Sequence, residues 1–354
     1  MSGYQIPHFG LARQYKNLKD ELLDATDRAL STGQLVGGKY TREFETWLAV
    51  KTKSKYAITV HSGSQALEII ARQKLLLHTE NNKSTPTIKI PNLTYPATLN
   101  AFLNAGWNVE IVDTDRYGII DCNPDIYVCL VGLYGKKPWA NRIYPDTYSC
   151  IVDGAQHWLC ADVDIGSGMA ISFDPTKNLP SSGNGGAIVT NNEALYRFAM
   201  NYKDNGKSTE FSYPGTNTKM SEQDCAQLLV RTKYIDKWQE RRHNIANYWI
   251  DCFKDLPLRC LTDTMGPHAH QKFVMYLPDR NSLHTHLITD GIESKIHYEY
   301  TLGDLHMSKS LSKPDMLSTS VMLSRGVLSL PLYPELTDVE VEYIMEKVVE
   351  YIDK

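Results

Sequence analysis

The 354-residue sequence predicts an α/β protein: a large domain with a mainly parallel mixed sheet covered by helices, then a smaller C-terminal α+β domain. Three observations predict it. Short apolar and β-branched runs alternate with amphipathic stretches from residue 56 to residue 202. Asp153 ends one of those runs, at the strand edge where open α/β sheets bind ligands. A long helical stretch, residues 222–253, then separates this alternation from a shorter one. The large domain is therefore placed at 34–235 and the small one at 236–354, with the 1–33 segment packing near the latter.

The elements follow in order. Leu18, Leu22, Ala25, Ala29 and Leu30 recur at helical spacing within residues 14–32, and Gly33 stops the run. Gly37 and Gly38 turn the chain into a second amphipathic helix carrying Phe44, Trp47 and Leu48. Residues 56–60 read as a strand leading into His61-Ser62-Gly63-Ser64, with Ser64 as cap of a helix to about Leu77. A strand, a small-residue turn and a helix start form an anion site, because free N–H groups and the helix dipole both favour a phosphate. Taken alone, such a turn is an ordinary cap. Further strands are read at 87–91, 109–112, 126–133, 149–152 and 187–190, and helices at 95–105 and 193–202. One continuous helix is read from 222 to about 253, a strand at 273–277, and helices at 283–289 and 339–352.

Composition narrows the function. Net charge is −4 and no Lys/Arg-rich run occurs, which argues against nucleic acid and anionic membrane as partners. Seven scattered cysteines with no C-x-x-C pair read as reduced thiols of a cytoplasmic protein. The first 15 residues lack the apolar core of a signal peptide, and no apolar stretch is long enough to span a bilayer. Gly166-Ser167-Gly168 has Ile171 where the third glycine of a dinucleotide fingerprint belongs, so nicotinamide binding is disfavoured. The pairs His268/His270 and His284/His286 have no evident third ligand, and no metal site is expected.

Chemistry concentrates around Ser172-Phe173-Asp174-Pro175-Thr176-Lys177-Asn178-Leu179, flanked by Asp153-Gly154-Ala155-Gln156 and Gly183-Asn184-Gly185-Gly186. A lysine after a buried strand and before a glycine loop, paired with a strand-end aspartate, suggests a Schiff base to pyridoxal 5'-phosphate with the carboxylate on the pyridinium nitrogen. The lysine needs desolvation to lose its proton, and the ring nitrogen needs a buried carboxylate to keep its own. Gln156 is placed to donate to the cofactor's phenolic oxygen and Tyr95 to stack on its ring. Each residue alone has a blander reading: a surface lysine, a turn aspartate, a packed aromatic.

In fixed order the motifs S-G-S-x-A-L (62–67), P-x-x-T-Y-x-A-T-x-N-A (91–101), L-Y-G (133–135), D-x-A-Q-H (153–157), S-F-x-P-T-K-N-L (172–179), G-x-N-x-K (215–219) and L-S-L-P-L-Y-P-E-L-T (328–337) resemble the DegT/DnrJ/EryC1/StrS sugar aminotransferases. The resemblance implies an aspartate-aminotransferase-like fold (type I) and a homodimer with active sites shared at the subunit boundary. It implies Lys177 as Schiff-base lysine, Asp153 as pyridinium partner, Gln156 and Tyr95 on the cofactor ring, and Gly63, Ser64 and Ser172 on its phosphate. Asn217 matches an asparagine that reaches the phosphate from the neighbouring subunit, and Tyr134, His297 and Tyr298 match residues near the sugar. The implied reaction moves an amino group from glutamate or glutamine to a nucleotide-linked 4-keto-6-deoxyhexose, with a 3-keto sugar as the alternative. A dehydratase branch carries histidine in place of the lysine, and non-catalytic regulators are a further alternative. The sequence departs from the family pattern at Lys219, where arginine is usual, at Glu299 for proline and at Pro180 for glycine. These departures bear on the substrate.

Overall fold

The computed structural model describes residues 5–82, 84–121, 127–138, 149–161, 163, 165–207, 214–262, 266–314 and 316–353. Seven strands form the large sheet: β1 (Tyr56–Val60), β2 (Thr87–Pro91), β3 (Asn108–Val112), β4 (Tyr127–Val131), β5 (Cys150–Asp153), β6 (Met169–Ser172) and β7 (Gly186–Thr190). Their order is β1-β7-β6-β5-β4-β2-β3. Only β7 runs against its neighbours. The other six strands point the same way, so their C-terminal ends share one edge, where ligands bind in such sheets.

Both faces of this sheet are covered, which is why its strands read as unbroken apolar runs. Alternate residues serve opposite sides. Ile151, Ala170 and Ile188 pack under α3 (Gly63–Asn81), α4 (Pro96–Ala105) and α5 (Glu193–Tyr202). Val152, Ile171 and Val189 pack on the other side with Phe44 of α2 (Lys39–Lys51) and Leu228 of α6 (Glu222–Thr232).

A second sheet is antiparallel, β8 (Arg259–Cys260), β9 (Phe273–Tyr276) and β10 (Val327–Leu330), in the order β10-β9-β8. Its core holds Phe273, Met275, Leu328 and Leu330 with Trp249 of α7 (Ile235–Phe253), Leu283 of α8 (Arg280–Thr289) and Ile344 of α10 (Asp338–Ile352). The helix α9 (Ser318–Gly326) leads directly into β10. The N-terminal segment divides between the two cores. Ile6 joins the second core, while Leu18, Leu22, Ala25 and Ala29 of α1 (Leu11–Ser31) pack on Ala226 and Val230 of α6.

Several expectations need correction. The continuous helix over 222–253 is two helices broken at Lys233-Tyr234. No glycine or proline marks the break; Glu21 of α1 grips both residues, accepting from Lys233 Nζ at 2.9 Å and from the Tyr234 hydroxyl. Ser62, not Ser64, caps α3, its hydroxyl accepting from the Gln65 amide at 3.2 Å, and the helix runs on to Asn81. Strands β8 and β10 carry no distinct period in the sequence and go unread there. Of the strand read at 126–133, Ile126 lies outside the described residues and pairing spans Tyr127–Val131.

One buried carboxylate locks the large domain together. Glu222 is 2% exposed and accepts from the amides of Gly38 (2.8 Å), Tyr40 (2.8 Å) and Thr41 (2.9 Å). Gly38 offers no side-chain cap to α2, so Glu222 supplies it from 184 residues away and complements the positive helix end.

Candidate active site

Asp153 is the last residue of β5, in register with Ala170 of β6. Lys177 follows β6 across a tight turn: the Asp174 carboxylate accepts from the Thr176 amide at 2.9 Å, and the Lys177 amide donates to the Asp174 carbonyl at 2.9 Å. The loop is anchored to the glycine loop by the Phe173 amide donating to the Gly185 carbonyl at 2.8 Å. Adjacent parallel strands thus deliver both side chains to one cavity of about 450 Å3.

The two charges are buried without neutralising each other. Burial pushes the Asp153 carboxyl up; the Thr98 hydroxyl (2.8 Å to Oδ2), the Ala155 amide (3.2 Å to Oδ1) and Lys177 pull it back. Burial holds the Lys177 amine below the usual lysine range, against the pull of Asp153 and Asp174. No ion pair joins Lys177 to Asp153 among the described residues. A group placed between them would meet an amine that gives up its proton readily and a carboxyl ready to face a cation.

The cavity also takes in the start of a helix, a setting that favours an anion. Gly63 and Ser64 open α3, where first-turn amides have no acceptor inside the helix, and Ser172 sits beside them. A Cβ on Gly63 would lie 2.7 Å from Ser172 Cβ, so only glycine lets the helix end meet β6. At the start of β7, a Cβ on Gly186 would stand 2.2 Å from the Ser62 carbonyl carbon, which excludes any side chain there.

The remaining sequence-derived residues separate into three positions. Gln156, Tyr95, His297 and Tyr298 line the same cavity. Gln156 Oε1 accepts from the Tyr134 amide at 2.8 Å and Nε2 donates to the Tyr298 hydroxyl at 3.4 Å. Tyr95 is 58% exposed, its ring centroid 6.0 Å from that of Tyr298. His297 is held by Ser329 Oγ at 2.9 Å, and burial lowers its pKa well below the ordinary range. Tyr134 lies behind the cavity wall, not on it. It is buried at φ +62°, and its hydroxyl donates to the His297 carbonyl at 2.5 Å. It therefore positions Gln156 and His297. Asn217 is exposed and away from its own chain's cavity.

Sequence reasoning missed Thr98, Phe9, Lys272 and Lys295, all on the cavity. Thr98 lay inside a quoted motif, three residues after Tyr95 and so one helical turn along, a signal that was available. Phe9 and the two lysines come from the N-terminal segment and the second domain, and nothing in their local sequence marks them.

A buried amine and carboxyl on adjacent strand ends, above a helix-end cradle, match the donor set of pyridoxal phosphate: base, ring-nitrogen partner and phosphate donors. On this sheet the arrangement defines a pyridoxal-phosphate aminotransferase of the aspartate-aminotransferase type. Comparison with known proteins agrees. Residues 16–124 and 162–349 match the DegT/DnrJ/EryC1/StrS aminotransferase family. A dTDP-3-amino-3,4,6-trideoxy-alpha-D-glucose transaminase of Streptomyces venezuelae is 26% identical, covering 99% of this chain and 97% of the relative. The 3-oxo-glucose-6-phosphate:glutamate aminotransferase of Bacillus subtilis is 27% identical, covering 92% and 79%. The crystal structure of S. venezuelae DesV has the same fold, with a TM-score of 0.89 at 24% identity over 99% of both chains. The chain belongs to the DegT/DnrJ/EryC1/StrS aminotransferase family.

Proposed function

We propose that this enzyme transfers an amino group from glutamate or glutamine to the keto carbon of a nucleotide-linked hexose, a 4-keto-6-deoxyhexose in the first instance. The observation that carries the reading is the burial of Lys177 and Asp153 on one cavity with no ion pair between them. Bound pyridoxal phosphate supplies the electron sink that makes the donor's carbon-bound proton labile and carries nitrogen between the two substrates.

The chain's own residues do the rest. Asp153, fixed by Thr98 and Ala155, presents a carboxylate toward the ring nitrogen. The cradle at Gly63, Ser64 and Ser172 holds the phosphate. Tyr95 covers the ring and Gln156 donates to it. Lys177, whose amine burial holds below the usual lysine range, would take the proton from the donor carbon and return it to the cofactor carbon on the far side of the shared nitrogen, as general base and then general acid. His297 and Tyr298 face the sugar. Asn217, on the surface of its own chain, serves the cavity of a second copy, which makes the active unit a homodimer.

A 3-keto acceptor is the second reading. The S. venezuelae relative is named for a 3-amino sugar and the B. subtilis relative for a 3-oxo sugar and glutamate. Incubation with glutamate and a panel of nucleotide-linked 3-keto and 4-keto sugars, read by mass, tests both. An amino sugar at one position identifies the substrate. Loss of water without gain of nitrogen, with or without donor, would replace the transferase reading by a dehydratase.

A further inference from the structure

A second buried lysine lines the cavity, and the chemistry above leaves it unused. Lys272 immediately precedes β9 and is 5% exposed. Its side chain faces the cavity. Among the described residues no carboxylate hydrogen-bonds or ion-pairs with its ammonium. Its surroundings are cationic instead: after burial, Lys177 is the strongest influence lowering its pKa, then Arg242, with Asp174 opposing and Lys295 adding to the effect. Lys272 Nζ stands 5.8 Å from the Phe9 ring centroid and Lys295 Nζ 5.2 Å from it. Lys295 is already paired with Glu293 at 3.3 Å, which leaves Lys272 as the unmatched charge.

A buried ammonium without a counter-ion is unfavourable, and methionine would fill the same space without that cost. The position calls for an anion from solution. Its nature follows from distance along the substrate. The α-carboxylate of an amino acid is two bonds from the nitrogen that is transferred. The diphosphate of a nucleotide sugar is separated from its keto carbon by the sugar ring. A lysine that lines the same cavity as Lys177, where the nitrogen is transferred, suits the former. The cradle at Ser62 to Ser64 is a separate anion site, made of amides and hydroxyls rather than cations.

We propose that Lys272 is the binding residue for the α-carboxylate of the amino-acid donor, with Lys295 reinforcing the field. The assignment rests on the aminotransferase reading above. Holoenzyme is titrated with L-glutamate and with L-glutamate α-amide, which keeps the amine and lacks the α-carboxylate charge, following the absorbance of the bound cofactor. Wild type is expected to half-saturate with glutamate at about 10- to 100-fold lower concentration than with the amide. Lys272→Met removes that preference by weakening glutamate alone, and Lys272→Arg retains most of it. The Met variant should fold, melting no lower than wild type when free of cofactor, because an unpaired buried charge is gone; Lys272→Gln serves as a second neutral variant. A neutral variant that prefers glutamate as wild type does overturns the assignment. So does one that binds glutamate normally yet loses a nucleotide keto-sugar or glucose 6-phosphate. A wild-type holoenzyme that responds to no amino acid overturns the aminotransferase reading itself, a distinct result.

Discussion

Replacing Thr98 by valine isolates the support of Asp153. The change keeps the shape of the side chain and removes one hydroxyl that donates to Asp153 Oδ2 at 2.8 Å inside the buried wall of the cavity. A hydrogen bond to a charged group contributes about 1.5–3 kcal/mol, so its loss should weaken cofactor retention by roughly 10- to 150-fold. The sign is fixed by the environment. Burial already raises the Asp153 pKa, and Thr98 is the leading influence that lowers it. Without the hydroxyl the carboxyl takes a proton at higher pH than in wild type, and a neutral acid cannot balance a ring cation. The loss should therefore deepen as pH falls. The assay is cofactor dissociation from the holoenzyme, followed by visible absorbance during dialysis from pH 8.5 to 6. A Thr98→Val protein that holds cofactor as wild type does across that range refutes the argument, since Ala155 alone would then suffice.

Three other outcomes are expected. Lys177→Ala should abolish both turnover and the visible band of lysine-bound cofactor, whereas Asp153→Asn should form the band only with excess cofactor, release it more readily on dialysis, and slow turnover by about a hundredfold or more; spectra and steady-state rates of the two variants check this. Capture of pyridoxal phosphate by the cofactor-free protein needs the neutral Lys177 amine, so its rate should rise with pH, with the midpoint of the rise below pH 10.5. Asp174 raises the pKa of that amine, so Asp174→Asn should move the rise to lower pH in stopped-flow absorbance, and an upward shift would contradict the assigned electrostatics. Glu222→Gln exchanges a carboxylate for an amide against the donors of α2, and should cost about 1–3 kcal/mol in urea unfolding with no change in the slope of the transition.

Much of the large domain was legible in the residues. Its strands are buried on both faces, so they appear as short apolar runs, and the turn residues between them are local signals. Lys177, Asp153, Gly63 and Ser172 were legible for the same reason: each sits at a strand end or helix start whose position the alternation marks. The break between α6 and α7 was not, because no glycine or proline marks it and the contacts to its two residues come from Glu21 of a distant helix, and Glu222 as the cap of α2 was hidden by its distance along the chain. Tyr134 belonged to a recognisable motif, yet its place behind the wall depends on where Gln156 and the His297 carbonyl fall.

What the sequence by itself determined is therefore the succession of strands and helices along the large domain and the pair of groups at the sheet's C-terminal edge, since short-range periodicity and turn chemistry govern both. Tertiary structure alone decided the wall opposite. Phe9, Lys272 and Lys295 reach the cavity only when the N-terminal segment and the second sheet close over the first. Whether a lysine ends in water or faces a buried cavity without a counter-charge is set by packing between distant segments, and no local pattern encodes it.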